Sequence, residues 1–574
     1  MANCFKKNAI WVWILLAAAV VGIIVGLIYG LAPNNNEDDA YKPGVGAIAS
    51  NGVDCANIGG NILRQGGSAV DAAIATLLCE GVLLPHSLGI GGGFIATIYT
   101  KHTGKIETLV ARETAPAAAT ETMFVDKEIT GALSAGVPTE IFGYWRLHER
   151  YGVLPWKTLF EPTIELCRKG HTVSKQLANV LQQHEERIRK EPSMAEIFIN
   201  PADNQVYKEG DTMYRPRLGD TLEAIAVEGP QTIYGGGRIG RLLVDDIQSM
   251  GGIITEADLQ TYEPRWEQPI VTNFSNGYTL HTSPLPSSGA VLSFILSVME
   301  PWTAKDIGEE VYWHRVVETF KHAYGHRTNL GDIRFNPEVA EIYNQLLDPH
   351  FAAEIRALIK DDITFEDMAY YGANFTNVED HGTANLAVLA QNGDAITITS
   401  TINSHLGAKV RSRRTGIILN DEMDDFSTPG VVNFYGIPAS PANYIKPGKI
   451  PMSSTCPSIV LDKDGNLQLL IGGAGGAKIT TSVAQTILRY FMLNQSTDES
   501  VHAGRVHHQL APMAVDIEPD VPQSTRDYLL KVGHHLNYLL PDKAYSALTA
   551  IGLKSGKTEP VCDRRRPGST ILVT

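Results

Sequence analysis

His381-Gly382-Thr383-Ala384-Asn385 runs into a short apolar stretch, residues 386–389, that reads as a strand. A Gly-Thr pair is common and says little by itself. Its downstream context is unusual. Thr399-Ser400-Thr401-Ile402-Asn403 comes first, then Asn420-Asp421-Glu422-Met423-Asp424-Asp425, then Pro451-Met452-Ser453-Ser454-Thr455-Cys456, then Gly472-Gly473-Ala474-Gly475-Gly476. Short apolar runs at 395–400, 416–419, 458–461 and 467–471 are separated by turn signals, and Gly393-Asp394 and Asp464-Gly465-Asn466 fit hairpins. A helix is expected over 477–495.

Working outward, residues 56–84 have the content of a buried helix interrupted by Gln65-Gly66-Gly67-Ser68. Gly91-Gly92-Gly93 opens a strand over 94–99. Helical spacing returns at 140–200 and 218–250, and 310–375 reads as mostly helical. A helix-rich first part and a strand-rich second part favour layered α+β packing over a doubly wound sheet.

The 574 residues are 44% apolar and 19% charged, with 53 Gly and 30 Pro, which excludes collagen, coiled coil and a largely disordered chain. A formal charge of −15 argues against a general nucleic-acid binder. Six Cys are too few for a disulfide-dense scaffold.

Residues 9–32 carry no charge, and 24 helical residues suffice to cross the roughly 30 Å hydrocarbon core. Lys6 and Lys7 precede the run; Glu37, Asp38 and Asp39 follow it. The positive-inside rule predicts a type II, single-pass protein: cytoplasmic tail 1–8, transmembrane signal anchor 9–32, linker 33–46, and an extracellular remainder at the cell membrane. A cleaved signal peptide is the competing reading, but its apolar core is normally about 7–15 residues. An outside location makes Asn273-Phe274-Ser275, Asn374-Phe375-Thr376 and Asn494-Gln495-Ser496 readable as glycosylation sequons. It also permits disulfides, and Cys55 and Cys79, flanking a helix-like stretch, could pair. Cys4 lies on the other side; Cys167, Cys456 and Cys562 have no assignable partner.

Other motifs fail. Gly235-Gly236-Gly237-Arg238-Ile239-Gly240 lacks a preceding strand and a well-placed acid, and reads as a Gly-rich turn into a helix. Gly472–Ile479 has Ile where a phosphate loop needs Ser or Thr after Lys478. His507-His508 and His534-His535 lack metal-ligand spacing, and the acidic run 421–425 lacks the other elements of a calcium loop. No metal and no cofactor are implied.

Together with Pro85-His86-Ser87-Leu88-Gly89-Ile90-Gly91-Gly92-Gly93 and Ala111-Arg112-Glu113, the five downstream blocks closely resemble the γ-glutamyltransferases (γ-glutamyl transpeptidase, glutathione hydrolase), which are N-terminal-nucleophile hydrolases. The anchor and linker resemble the animal, cell-surface branch. The resemblance runs from about residue 42 to near the C-terminus. It implies a four-layer αββα sandwich preceded by one transmembrane helix. It also implies self-cleavage between Gly382 and Thr383 into a large subunit, 47–382 of the ectodomain, and a small subunit, 383–574, that stay together as a heterodimer. Thr383 would be the nucleophile, its freed α-amine the general base, and Thr401 the residue that positions it. Gly475 and Gly476 match the oxyanion loop. Arg112 resembles the clamp for the substrate α-carboxylate, with Ser453 and Ser454 adding hydroxyls. Asn403, Glu422 and Asp425 would hold the α-ammonium. The implied substrates are glutathione, its S-conjugates and other γ-glutamyl compounds, with water, amino acids or dipeptides as acceptors.

The stretch Asn403-Ser404-His405-Leu406-Gly407-Ala408 departs from the family's aromatic-containing pattern, which bears on acceptor preference. His86 stands where some animal members have Gln and is assigned no role. A self-cleaving acylase with another donor would share Thr383 and the glycines but need not combine Arg112, Glu422, Asp425 and Ser453. A catalytically silent surface homologue would not need the Thr383–Thr401 pair.

Overall fold

Alternate residues along the central strands face different layers, and this sorts the chain. In Ala384–Leu389, Leu386 and Val388 pack among helices, whereas Ala387 and Leu389 join a second apolar cluster with Leu467 and Leu470 of another strand. In Leu467–Ala474 the same alternation sends Leu469 and Ile471 to a different set of helices. Both strands are buried on both faces, which requires four layers.

The computed structural model describes residues 44–125, 128–375, 382–432, 438–540 and 546–574. The strands of its two large sheets are β1 (Gly46–Ser50), β2 (Gly93–Thr100), β3 (Lys105–Ala111), β4 (Arg265–Glu267), β5 (Ile270–Asn273), β6 (Thr279–Thr282), β7 (Ala384–Leu389), β8 (Ala395–Thr401), β9 (Ser458–Leu461), β10 (Leu467–Ala474), β11 (Ala547–Lys554), β12 (Lys557–Cys562) and β13 (Ser569–Val573). One sheet has the order β13-β1-β7-β8-β2-β3-β4 and the other β12-β11-β10-β9-β6-β5; both are antiparallel throughout. The helices that cover them include α1 (Cys55–Arg64), α2 (Ala69–Leu83) and α3 (Glu140–Tyr151) on the first sheet, and α4 (Gly289–Met299) and α6 (Lys478–Met492) on the second, with α5 (Glu309–Arg327) against α4. This is the expected αββα sandwich.

The break between α1 and α2 falls at Gln65-Gly66-Gly67-Ser68, as expected, and Ser68 closes a capping box with Asp71. Cys55 and Cys79 are joined in a disulfide that staples α1 to α2. Cys167, Cys456 and Cys562 are free thiols. The Gly-rich turn ends at Gly237, the N-cap of helix Arg238–Ser249.

Three expectations need correction. The run 416–419 is not a strand: Gly416 takes φ 78° against the Leu218 backbone, and only Ile418 bridges, to Arg411. The division into a helix-rich and a strand-rich part is too coarse, because β1 to β6 come from the first part and interleave with later strands. Gly46 pairs with Val573, so the ordered sheet begins at the last residue assigned to the linker. The tail 1–8, the stretch 9–32, linker residues 33–43 and His381 lie outside the described residues. Among the described residues no helix is long and apolar enough to cross a membrane.

Candidate active site

β7 and β8 form a hairpin with Ala384 opposite Ser400, so Thr383, one residue earlier, meets Thr401. The alternation that places Leu386 and Ile398 among the helices sends Thr383 and Thr401 to the opposite face, between the sheets. Both are buried. Thr383 Oγ1 donates to Thr401 Oγ1 at 3.3 Å. Thr401 Oγ1 donates to Gly382 O at 3.0 Å and accepts from Asn403 N at 2.8 Å. The Thr401 hydroxyl thus uses its one donor and two acceptor positions. Gly382 is required by space: a Cβ there would lie 2.3 Å from Asn403 O.

Next along β7, the Asn385 side-chain amide sits 2.7 Å from both Thr399 Oγ1 and Thr549 Oγ1, bridging the two sheets, and a Cβ on Gly472 would collide with it. The contact places the end of β10 beside the start of β7. β10 is followed by Gly475 (φ 123°) and Gly476 (φ 61°), a left-handed turn suited to glycine that leads into α6. Thr480 Oγ1, in the first turn of α6, donates to Ser454 O at 3.0 Å, tying the Ser453-Ser454 segment to this turn.

Arg112 follows β3 and is buried with Glu422, to which its guanidinium donates, and Glu113, whose carboxylate lies 3.5 Å away. Burial pushes the Glu113 carboxyl up to about 6 against the pull of Arg112. Glu422 to Asp425 form one 3₁₀ turn, also buried except at Asp424. Asn403 takes φ 71°; its Nδ2 donates to Asp421 O at 3.1 Å, and its Oδ1 is buried without a hydrogen-bond partner. The three sequon residues lie elsewhere: Asn273 ends β5, Asn374 donates to Asn329 Oδ1, and Asn494 follows α6, all exposed.

Several groups escaped the sequence reading. Arg566 Nη1 donates to Thr383 O at 2.6 Å; burial pulls its guanidinium down to about 10, so it remains charged at neutral pH. It sits in a basic run, Arg564-Arg565-Arg566, that reads as a solvated surface. Asn51 Oδ1 accepts from Asn385 N at 2.9 Å. Arg327 donates to Ser454 Oγ at 2.9 Å. Asn420 Oδ1 accepts from Glu422 N and Gly136 N, while its Nδ2 donates to Gly91 O and Gly136 O. The glycine run 91–93 was a usable signal: Cβ atoms there would strike Ile418 O, Thr401 O and Ala111 O. His86, left without a role, accepts from Leu406 N through its carbonyl and sets its ring edge-on to His405.

Chemically, the site offers a hydroxyl pair on a peptide carbonyl, a glycine turn fit for an oxyanion, and a buried cation and anions side by side. The sequence model of the family described as Gamma-glutamyltranspeptidase matches residues 55–573. Scoloptoxin SSD14 of Scolopendra dehaani is 42% identical over 535 residues, 91% of either chain. Glutathione hydrolase 3 of Arabidopsis thaliana is 39% identical over 518 residues, 87% of this chain and 80% of that protein. Among solved structures, cephalosporin acylase from Bacillus halodurans superposes with a TM-score of 0.80 over 94% of this chain and 98% of its own; at 22% identity this likeness concerns the fold alone.

Proposed function

The chain belongs to the gamma-glutamyltranspeptidase family, and from that premise we propose that it cuts itself between Gly382 and Thr383 and then acts as a glutathione hydrolase and γ-glutamyltransferase. The carrying observation is the hydrogen-bonded series Thr383 Oγ1, Thr401 Oγ1, Gly382 O. As Thr383 Oγ1 bonds to the Gly382 carbonyl carbon, its proton passes to Thr401, and the proton of Thr401 reaches the developing oxyanion. The Gly382–Thr383 C–N bond then breaks, the nitrogen takes up that proton, and an ester remains. Water hydrolyses the ester, leaving a carboxylate on Gly382 and a free α-amine on Thr383.

That amine, with an ordinary pKa of roughly 7.7–8, is the base of the mature site. It takes the hydroxyl proton as Thr383 Oγ1 attacks the γ-amide carbonyl of glutathione. The N–H groups of Gly475 and Gly476 stabilise the oxyanion. Cysteinylglycine leaves with the proton, and water or an amino-acid or dipeptide amine resolves the γ-glutamyl ester. The α-carboxylate and α-ammonium of the donor share one carbon, so the groups that bind them must be neighbours. Contact between Arg112 and Glu422 meets that requirement. Arg112, Ser453 and Ser454 take the carboxylate; Asn403, Glu422 and Asp425 take the ammonium. These remote charges align the scissile amide.

Residues 9–32 serve as a type II anchor holding the catalytic part outside the cell, with glycans at Asn273, Asn374 and Asn494. Denaturing electrophoresis with N-terminal sequencing, beside a glutathione assay, tests the whole. Two pieces, one beginning at Thr383, are expected; an uncut chain fully active on glutathione would overturn it.

A further inference from the structure

A cavity of about 770 Å³ lies between α1, α2, the helix Trp156–Lys169 and the segment 171–176, and shares no lining residue with the site around Thr383. Its size falls within the range of small-molecule pockets, roughly 300–1,000 Å³. Ile58, Leu83, Leu84, Leu166 and Val173 supply apolar wall, and the disulfide-bonded Cys79 also lines it.

Two polar side chains in this wall are unsatisfied. His171 is only 6% exposed, and neither ring nitrogen has a hydrogen-bond partner. Gln176 Oε1 is buried and also lacks one. Leaving such buried atoms unpaired is costly, so their presence in one cavity wall points to an occupant that pairs them. Burial pulls the imidazole down to about 4, so at neutral pH it offers one donor and one acceptor. The charged lining residues are Asp54, Lys175 and Glu209, and the buried Arg215 also acts on His171, so two cations balance two anions and an uncharged guest is favoured.

We propose that this cavity is a binding site for an uncharged apolar molecule bearing a hydroxyl, of the phenol or fatty-alcohol class. The apolar body packs against Leu83, Leu166 and Val173. The hydroxyl accepts from the His171 N–H and donates to Gln176 Oε1.

Titration of the full chain with 1-naphthol tests this. One saturable site is expected, at least tenfold weaker in His171→Phe, which keeps the ring without its nitrogens, and abolished in Leu166→Trp, which fills the space. 1-Naphthoate, the charged counterpart, should bind at least tenfold more weakly than 1-naphthol. Absence of saturable binding, equal affinity in both variants, or equal affinity for the carboxylate each overturns the proposal. A measurement on the unaltered protein guards against a variant that fails to fold. Saturating 1-naphthol should slow phosphine reduction of the Cys55–Cys79 disulfide several-fold, because Cys79 lines the cavity; an unchanged rate counts against it.

Discussion

Thr401 Oγ1 stands between Thr383 Oγ1 and the carbonyl of the residue before it, 3.3 Å from the first and 3.0 Å from Gly382 O. Because Asn403 N also donates to it, the Thr401 proton has one acceptor to go to, and the direction of transfer is fixed. Thr401→Val removes the relay while keeping the shape. It is expected to slow self-cleavage by about 10²–10³-fold, the scale of losing one oxyanion donor. Thr401→Ser should restore most of the rate. Time courses of chain cleavage on denaturing gels decide it; a valine variant maturing at the parental rate would remove Thr401 from the chemistry.

Arg112 and Glu422 form a buried pair, and in the proposed reaction they bind the donor and take no part in the cut at Gly382. Arg112→Gln should therefore mature normally yet lose about 10²-fold or more in kcat/KM for glutathione. Breaking a buried pair by removing one partner costs about 3–5 kcal/mol, more than replacing both. The double variant Arg112→Gln, Glu422→Gln should accordingly melt no lower than the less stable single variant. Melting temperatures and steady-state rates on the three proteins check both statements.

What could be read from the sequence follows from how local each signal is. The hairpin of β7 and β8 was legible because apolar runs flank Gly393, whose N donates to Ala390 O across the turn. The α1–α2 break was legible from Gly66, Gly67 and the capping Ser68. The nucleophile was not: Thr383 in isolation is one threonine among many, and it stood out only through the resemblance of five ordered blocks. Pairing of β1 with both β7 and β13 brings together residues hundreds of positions apart, and no local pattern encodes that. Arg566 was hidden for the opposite reason. Arg564 pairs with Asp520 at the surface, as a basic surface run would, while Arg565 reaches the largely buried Glu518 and Arg566 turns inward to Thr383 O.

Glu140 gives the fold a measurable pH signature. Its carboxylate is buried on α3 and accepts from Ser400 Oγ at 2.8 Å and from Tyr144. Burial pushes its pKa up from 4.5 to about 8. The folded state therefore holds a proton that the unfolded state releases, and the stability this confers is full below pH 4.5 and is lost as pH rises toward about 8. Glu80, raised to about 7 by burial, adds a slope of the same sign, whereas buried neutral histidines such as His86 act the other way at low pH. Glu140→Gln removes one component only. Its melting temperature relative to the parent should rise steadily between pH 5 and pH 8; a constant difference across that range would mean that Glu140 does not titrate this way.

Activity should leave membranes when the chain is cut within residues 33–43, between the stretch 9–32 and the first described strand. Limited proteolysis of membrane fractions, with activity followed in the supernatant, reads this directly. Activity that remains with the pellet after a mapped cut there would count against a single anchor.

Self-cleavage at Gly382 would leave strands from two chains inside one sheet. β7 and β8 belong to the piece starting at Thr383, yet they lie between β1 and β2 of the other piece, and β13 closes over β1 from the far side. Antiparallel pairing on both flanks, with both faces buried, holds the pieces together without a covalent link. The Cys55–Cys79 disulfide lies wholly within the first piece and adds nothing across the cut. Denaturing gels should thus show the same two bands with and without reductant, while gel filtration under native conditions should carry both pieces in one peak. Moderate urea should not elute either piece alone before enzymatic activity is lost, since separating them means unzipping the sheet that carries Thr383. A folded, isolated small piece under such conditions would contradict the interleaved arrangement.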